Sequence, residues 1–482
     1  MTAVLPRGVE HPGRRTPSGA GFRVWGAAAL AVTGAVPAAV RWPLPVALGA
    51  ATVGVVVLVA TQPQWSAYLY LAVAPLVLGI DRGAALPFLR PHELLLGVLW
   101  LGVLAGPGFR WLASGARMPR VAGMDVAVVA VAVASSLVPL GWAYAQSRPV
   151  GQDDVLYALA LWKLSAVYLL VRVSLRRADQ VRRAVGVVLA VGGVLAVAGV
   201  AQVLDLFGAA SLLQIYAPAD AAERLASNRA SATIGTPIGF ADVMVMTLGL
   251  AVGWLVHLRV HRLAVGVVAA LTSVAAVASG QVTGVLGLLV AAVAAGWAVG
   301  RLARTALVTG SVALAAGLAV WPVVAQRIER LDPRTGLPVS WTGPSGRWAN
   351  LTTHVWPRLA EDGNWLFGVQ VSGRIPAPEP WRQWIYIESG YTWLLWNGGL
   401  PLLAAFVVLV ALGFRAAVSL ARGGVGVEAV VGVGTLTALS VLIVLMVTDP
   451  HLSMRGAADL FFPLLAMTAG RHAARRPREV RT

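Results

Sequence analysis

Apolar residues follow one another in long runs along this chain, and short polar stretches separate the runs. A run of about 20 apolar residues is the length that an α-helix needs to cross the hydrocarbon core of a bilayer. We therefore predict helices over fourteen runs, at 22–40, 42–61, 65–80, 89–106, 124–145, 155–173, 184–206, 237–258, 263–279, 282–300, 305–325, 386–412, 426–448 and 457–470. The pattern predicts an all-α polytopic integral membrane bundle of about 12–14 transmembrane helices.

The composition agrees with this fold class and excludes several others. Of the 482 residues 58% are hydrophobic and 12% are charged, and the mean hydropathy is +0.75. Soluble domains carry about a quarter charged residues, so a soluble enzyme with a small anchor, a disordered chain and a fibrous repeat are excluded. Cysteine is absent, and the pair His257 and His261 offers too few ligands for a metal. We predict no metal and no cofactor.

The net charge of +17 would suit a nucleic-acid-binding protein, but the arginines are distributed as membrane topology requires. When the N-terminus is placed in the cytoplasm, alternating helices put 23 arginines on the inner side and 14 on the outer side. Short cytoplasmic segments of membrane proteins carry such an excess. We therefore predict a multi-pass plasma-membrane protein with both termini cytoplasmic and without a nucleic-acid partner.

This topology divides the chain into five parts. They are a cytoplasmic basic tail over 1–24, transmembrane helices 1–11 over 25–325, a large extracytoplasmic loop over 326–385, C-terminal transmembrane helices over 386–470 and a cytoplasmic basic tail over 471–482. A loop as long as the third part is uncommon and usually functional. This loop is rich in arginine and tryptophan, and the partly amphipathic stretch 347–359 predicts a short helix within it.

Two short motifs lie in the loop and at its end. Arg347 and Leu351 form an R-x3-L pattern, and Glu388-Ser389 is followed after nine further residues by Gly399. In these features the chain resembles the O-antigen ligase and O-antigen polymerase superfamily of membrane glycosyltransferases. The ligases show R-x3-L in the large periplasmic loop and then H-[NSQ]-x9-G-x-x-[GTV]. The chain departs from that pattern at Glu388, where the ligases have His, and at Leu402, where they have a smaller residue.

Three further segments extend the resemblance over about 155–470. The stretch 229–242 is similar to the family's Arg-containing segment before an outer-to-inner helix, although Ile238 replaces the common Asn. Lys163 matches a lysine of the family's mid-chain helix, and 277–290 resembles a "GSRG" stretch with Gln in place of Arg. The resemblance implies a C-type glycosyltransferase fold, a polyprenyl-diphosphate-linked sugar donor and an inverting, metal-independent transfer.

The chemistry of such a transfer selects the candidate residues. Positive groups must stabilise the departing diphosphate, and a base must take a proton from the acceptor hydroxyl. The catalytic candidates are Glu388, Arg347 and His354, and the substrate-binding candidates are Arg229, Lys163, Arg358, Arg374, Trp348 and Tyr391. Each has a plainer interpretation, as a solvated surface charge, an interfacial aromatic residue or a helix cap.

Charged residues near the membrane interior leave further alternatives open. Lys163 binds the lipid diphosphate or pairs with Asp242, and Asp459 is an alternative structural partner. The turn that holds Asp449-Pro450-His451 and Arg455 closes over the site or caps helices. Intramembrane charge is costly and is therefore a functional candidate by default.

The leading functional hypothesis is transfer of lipid-linked oligosaccharide at the outer face of the plasma membrane. Its partners would be the lipid-linked glycan donor, a glycan or other hydroxyl acceptor, the lipid bilayer and envelope-assembly proteins. Glu388 in place of His favours a polymerase slightly over a ligase. The alternatives are a polysaccharide flippase or other transporter, and a non-enzymatic assembly protein. Sparse intramembrane charge and the long outer loop favour the enzyme.

Overall fold

The computed structural model describes residues 43–82, 89–114, 121–216, 229–343, 346–378 and 383–479. The basic tail and the first predicted helix, at 1–24 and 22–40, lie outside these residues. The chain divides into two compact units between Val57 and Leu58. In the first unit the described residues, 43–57, are helical.

The second unit is almost entirely helical. Its helices, with α1 shared across the unit boundary, are α1 Pro43–Thr61, α2 Gln64–Val77, α3 Pro91–Val103, α4 Phe109–Ser114, α5 Gly123–Ala134, α6 Leu137–Ala145, α7 Gln152–Ser174, α8 Ala178–Val203, α9 Ala209–Leu212, α10 Pro237–His257, α11 Arg262–Ala278, α12 Val282–Ala298, α13 Leu302–Ala319, α14 Trp321–Ile328, α15 Val339–Thr342, α16 Arg347–Asn350, α17 Trp356–Ala360, α18 Asn364–Phe367, α19 Gly390–Gly423, α20 Val427–Leu445 and α21 Ala457–Glu479. Wide π-helical turns at Leu104–Gly108 and Leu351–Val355 join α3 to α4 and α16 to α17.

Eight helical segments of the described chain are long and apolar enough to cross a membrane. They are Pro91–Trp111, Gly123–Ala145, Gln152–Ser174, Ala178–Val203, Pro237–His257, Leu302–Ala319, Gly390–Gly423 and Val427–Leu445. Ala47–Thr61, Arg262–Ala278 and Val282–Ala298 are shorter apolar helices. The protein is therefore an all-α, multi-pass membrane protein, while the count of 12–14 spans stays a prediction.

Helices α10 and α20 form the centre of the second unit. The spanning window of α10 is 83% buried and that of α20 is 78% buried, more than for the other membrane-crossing segments of the described chain. Small residues allow the two backbones to approach closely, because a Cβ added to Gly249 would lie 2.6 Å from Cβ of Thr437. Close packing through small residues is typical of helix association in membranes, where lipid removes the hydrophobic driving force.

Backbone and side-chain contacts join several turns at one end of the helices, which we call the loop end. Among the described residues it consists of 78–82, 229–236, 279–281, 321–343, 346–378, 383–389 and 446–456. The amide of Gly79 donates to the carbonyl of Thr233 at 2.8 Å. The amide of Gly390 donates to the carbonyl of Met446 at 2.7 Å. The described arginine-rich segments that we predict to be cytoplasmic lie at the opposite end, where Arg172 pairs with Asp125 and Arg471 pairs with Glu428.

The long loop is folded rather than structureless. Strands β1 Arg374–Pro376 and β2 Trp384–Tyr386 form an antiparallel hairpin in which Ile375 lies opposite Ile385. Those isoleucines pack with Leu351, Val355, Ile387 and Trp396 in a small core between the loop and α19. The predicted helix over 347–359 is confirmed, with the π turn at Leu351–Val355 interrupting its α-helical register.

Three predicted boundaries are wrong. The helix predicted from 386 begins at Gly390, because the hairpin holds 384–386 as a strand. The run 305–325 divides between α13 and α14, where Pro322 occupies the first turn of the new helix. The run 457–470 continues as helix to Glu479 and so includes most of the predicted C-terminal tail.

Candidate active site at the loop end

Arg347 lies at the first position of α16 and reaches across to the turn between α20 and α21. Its Nη1 donates to the carbonyl of Thr448 at 2.9 Å and lies 3.0 Å from Oδ2 of Asp449. Its Nε lies 3.5 Å from Oε2 of Glu388, an ion-pair distance. The ring of Trp341 covers the guanidinium, with its centroid 5.4 Å away. One arginine thus joins three separate segments of the chain.

The two carboxylates that share Arg347 differ in exposure. The side chain of Asp449 is 4% exposed and that of Glu388 is 36% exposed, while Arg347 is 17% exposed. Burial raises the pKa of Asp449, although the charge of Arg347 opposes that shift. Asp449 is therefore an interior anchor for the guanidinium, and Glu388 is the carboxylate that a substrate can reach.

Local structure fixes the position of Glu388 at the start of α19. Ser389 is the N-cap of this helix, and its hydroxyl accepts from the amide of Thr392 at 3.4 Å. Serine is a preferred N-cap because its oxygen satisfies an otherwise unpaired helical amide. Glu388 therefore lies directly before the cap rather than within the helix, and the hairpin and Arg347 flank it.

A buried acid–histidine pair lies next to this group. Nδ1 of His451 is 2.6 Å from Oδ2 of Asp242 on α10, and both side chains are almost fully buried. Burial alone lowers the pKa of His451, but the charge and hydrogen bond of Asp242, with a smaller contribution from Asp449, outweigh it and raise that pKa. The positive charge of Arg347 has a smaller effect and lowers the pKa of His451. The pair thus ties the α20–α21 turn to the central helix.

The structure brings together Arg347 and Glu388, the two leading catalytic candidates. His354 follows Arg347 by seven residues, and in a regular α-helix this spacing would place both side chains on one face. His354 lies within the π turn, so its seven-residue spacing from Arg347 does not correspond to two α-helical turns. Trp348 is 64% exposed and packs edge-on against Trp356. Arg358 is exposed on α17.

The remaining substrate-binding candidates have contacts of their own within or beside the loop end. The hydroxyl of Tyr391 donates to the carbonyl of Ile443, which is a packing role. Arg374 lies on β1 over the ring of Tyr157, at 5.4 Å. Arg229 packs against Gly280 at the turn between α11 and α12.

The alternative pairing of Lys163 with Asp242 is wrong. Asp242 is taken by His451, whereas Nζ of Lys163 lies 3.8 Å from Oε1 of Glu93 and 3.3 Å from Nε2 of His92. Asp459 interacts electrostatically with Lys163, as the other alternative expected.

The sequence reasoning missed the polar residues of the α2–α3 region. Asp81, Arg82, Arg90, His92 and Glu93 surround Lys163 or the end of the α20–α21 turn. The signal was present, because His92 and Glu93 interrupt an apolar run as Lys163 does.

The described residues contain no group of three or more His, Cys, Asp or Glu side chains that could hold a metal ion. Among known proteins, no family model, no curated protein and no solved structure matches the chain. The fold therefore defines the class of protein, an all-α multi-pass membrane protein, and the chemistry rests on the residues at the loop end.

Proposed function

We propose that the protein is a membrane glycosyltransferase that polymerises or ligates polyprenyl-diphosphate-linked oligosaccharide at the outer face of the plasma membrane. The observation that carries the proposal is Glu388, a reachable carboxylate held beside the buried Arg347–Asp449 pair. Its position, one residue before the helix cap Ser389, is where the resembling ligases carry a histidine.

In the proposed reaction the acceptor hydroxyl oxygen attacks the anomeric carbon of the donor sugar. The bond from that carbon to the diphosphate oxygen breaks, and the polyprenyl diphosphate leaves with the electron pair. Glu388 takes the hydroxyl proton as the new glycosidic bond forms. Attack opposite to the leaving group inverts the anomeric centre.

The contacts of Arg347 favour a role in positioning Glu388 over the expected contact with the donor diphosphate. Its Nη1 donates to Thr448 and Asp449, while its Nε faces Glu388 at 3.5 Å without a hydrogen bond; its closest contacts are thus to the protein. We assign Arg347 as a positioning residue that orients Glu388. Contacts to the diphosphate then fall to other basic residues of the loop end.

The positions of the intramembrane acids Asp242 and Asp459 disfavour the transporter alternative. A flippase needs polar groups along a path through the bundle, because charges in hydrocarbon are costly. Here Asp459 lies in the first turn of α21 and Asp242 in the second turn of α10, near the loop end, and both have partners there.

The test is a reconstituted reaction. The purified protein in liposomes receives a polyprenyl-diphosphate-linked oligosaccharide and an acceptor. We expect longer or newly linked glycan together with an equal amount of free polyprenyl diphosphate. A ladder of repeat lengths would mark a polymerase and a single addition a ligase. Movement of the donor between leaflets without covalent product would instead support the transporter.

A further inference from the structure

The outward-facing side chains of strand β2 form a continuous row that ends at Glu388. Ile385 and Ile387 are buried in the small core between the loop and α19. Because successive side chains of an extended chain point to opposite faces, Trp384, Tyr386 and Glu388 share the other face. Trp384 is 38% exposed and Tyr386 is 47% exposed, so both rings are open to a ligand. We call the row of these three residues the β2 stripe.

The neighbouring strand β1 adds two residues to the same face. Pro376 lies opposite Trp384 in the hairpin register. Arg374 lies opposite Tyr386, and its guanidinium covers the ring of Tyr157 on α7. Side chains of directly opposed residues in a hairpin lie on one face, about 5 Å apart. The face therefore combines two accessible aromatic rings with a positive charge and, at its end, a carboxylate.

This combination suits a carbohydrate chain better than a lipid surface. A sugar ring has an apolar C–H face, which packs on an aromatic ring, and hydroxyls at its edge, which need hydrogen-bonding partners. Tryptophan and tyrosine offer an apolar body with a polar tip, and Arg374 and Glu388 offer a donor and an acceptor to the hydroxyls. Insertion of the same face into hydrocarbon would bury both charges, which is costly.

The geometry of the proposed reaction determines which sugar lies here. Glu388 takes the proton of the acceptor hydroxyl, so the attacking sugar must lie within reach of this carboxylate. In an inverting transfer the base and the leaving group lie on opposite sides of the anomeric carbon. The acceptor therefore approaches from the side of Glu388. From Glu388 to Trp384 an extended chain covers about 13 Å, which is longer than one sugar ring.

We propose that the β2 stripe binds the acceptor as a chain of several sugars, with the reacting sugar at Glu388 and the following sugars stacked on Tyr386 and Trp384. The assignment of this ligand as the acceptor rests on the proposed function. The acceptor is then an extended glycan rather than a single sugar or a hydroxyl of another class. Pro376 and Arg374 widen the same surface and contact the edges of the chain.

Binding is measured by calorimetry on the purified full-length chain in detergent, without donor. The probes are the oligosaccharides that mild acid releases from the glycolipids of the cells that naturally produce the protein, separated by length. The monosaccharides that complete hydrolysis yields from the same glycans test a single position. We expect the monosaccharides to bind at least about tenfold more weakly, because none of them can contact both aromatic rings. Equal binding of the two kinds of probe, or no binding of any oligosaccharide to the wild type, overturns the proposal.

Variants locate the site on the hairpin. Trp384→Ala and Tyr386→Ala should each weaken oligosaccharide binding about three- to tenfold, because each removes one stacking surface. Trp384→Phe keeps an aromatic ring and should retain most of the binding, which a loss through misfolding would not do. Trp365→Ala is the matched control, since Trp365 is also exposed in the same loop but lies on α18.

Tyr386→Ala decides the question if Trp384→Ala fails to fold. Unchanged binding in folded Trp384→Ala or Tyr386→Ala overturns the proposal. An equal loss of binding in Trp365→Ala overturns it as well, because the effect would then not belong to the hairpin.

Transfer kinetics in liposomes separate this site from the enzymatic function. Trp384→Ala should raise the acceptor KM and leave kcat within about twofold of the wild type, because Trp384 binds the chain and does not touch the reacting atoms. Oligosaccharide binding that depends on Trp384 without any glycan product would remove the glycosyltransferase and leave the glycan site. Normal binding and normal acceptor KM in Trp384→Ala would remove the glycan site and leave the glycosyltransferase. Reduced transfer with unchanged binding in detergent would make the stripe a lipid contact and also overturns the proposal.

Discussion

Arg347 contacts three segments of the loop end, at Thr448 and Asp449, at Glu388 and at Trp341. It is the link between the long loop and the α20–α21 turn, and its loss would leave the carboxylate of Asp449 buried without its guanidinium partner. Breaking such a buried pair costs about 3–5 kcal/mol, reduced here by the partial exposure of Arg347. We expect Arg347→Ala to lower the unfolding free energy by about 2–3 kcal/mol.

Thermal unfolding of the purified protein measures this effect. Arg358→Ala is the matched control, because Arg358 is exposed on the neighbouring helix α17. A midpoint equal to that of Arg358→Ala would mean that the Arg347–Asp449 pair does not stabilise the loop end.

The buried pair of His451 and Asp242 predicts a dependence of stability on pH. The raised pKa of His451 means that the folded state holds this proton more tightly than the unfolded state. The resulting stabilisation is complete below about pH 6.5, the unfolded value, and is lost as the pH rises through the folded pKa. The difference in unfolding midpoint between wild type and His451→Gln should therefore shrink as the pH rises above about 6.5. A difference that grows with pH would have the wrong sign for this pair.

At the scale of elements, Gly399 determines how the loop packs on α19. Its backbone has φ 62° and ψ −157°, and a Cβ there would lie 2.1 Å from the carbonyl oxygen of Leu366 on α18. Both the backbone strain and the clash oppose any side chain, so Gly399→Ala should destabilise by about 2 kcal/mol or more.

Gly310→Ala is the control for this prediction. Gly310 lies within α13 with no neighbouring atom within 4 Å of an added Cβ, so alanine should be neutral or slightly stabilising there. Equal unfolding midpoints for Gly399→Ala and Gly310→Ala would contradict the close packing of α18 on α19.

The sequence predicted the helices well where an apolar run is continuous, because the requirement to hydrogen-bond every backbone amide within the protein leaves helix as the main choice in a membrane. The prediction of helix boundaries failed where local residues end or delay a helix within an apolar run. Pro322 starts α14 within an apolar stretch, and the hairpin at 384–386 delays α19 until the cap at Ser389. The hairpin has only three residues per strand, which is too short for alternation to be recognised.

The candidate site could be predicted only in part. The motif spacing selected Arg347 and Glu388, and the fold brings them to 3.5 Å. The spacing could not reveal that Asp449, about a hundred residues away, is the third member, because tertiary contacts leave no trace in local periodicity. Arg347 was therefore expected to hold phosphate, without the knowledge that its guanidinium lies between Asp449 and Glu388.

At the scale of the whole molecule, the two ends of the helices differ in chemistry. The loop end carries the folded loop and the site, and the opposite end carries arginine-rich turns. We expect the loop end to face outward. The native chain has no cysteine, so single introduced cysteines report orientation without interference.

An impermeant thiol reagent applied to intact cells should label Trp348→Cys, an exposed position of the loop end. It should label Arg176→Cys, an exposed position of the opposite end, only after the membrane is opened. The reverse pattern would place the proposed site in the cytoplasm and contradict transfer at the outer face.

The most direct measurement of the central claim is the transfer rate of Glu388→Gln in the reconstituted reaction, at matched amounts of folded protein. Glutamine keeps the shape of the side chain but cannot take the acceptor proton, so the rate should fall about 10²–10⁴-fold. Glu361→Gln, an exposed glutamate of the same loop, should transfer at the wild-type rate. A Glu388→Gln rate equal to that of Glu361→Gln would show that Glu388 is not the base and would contradict the account.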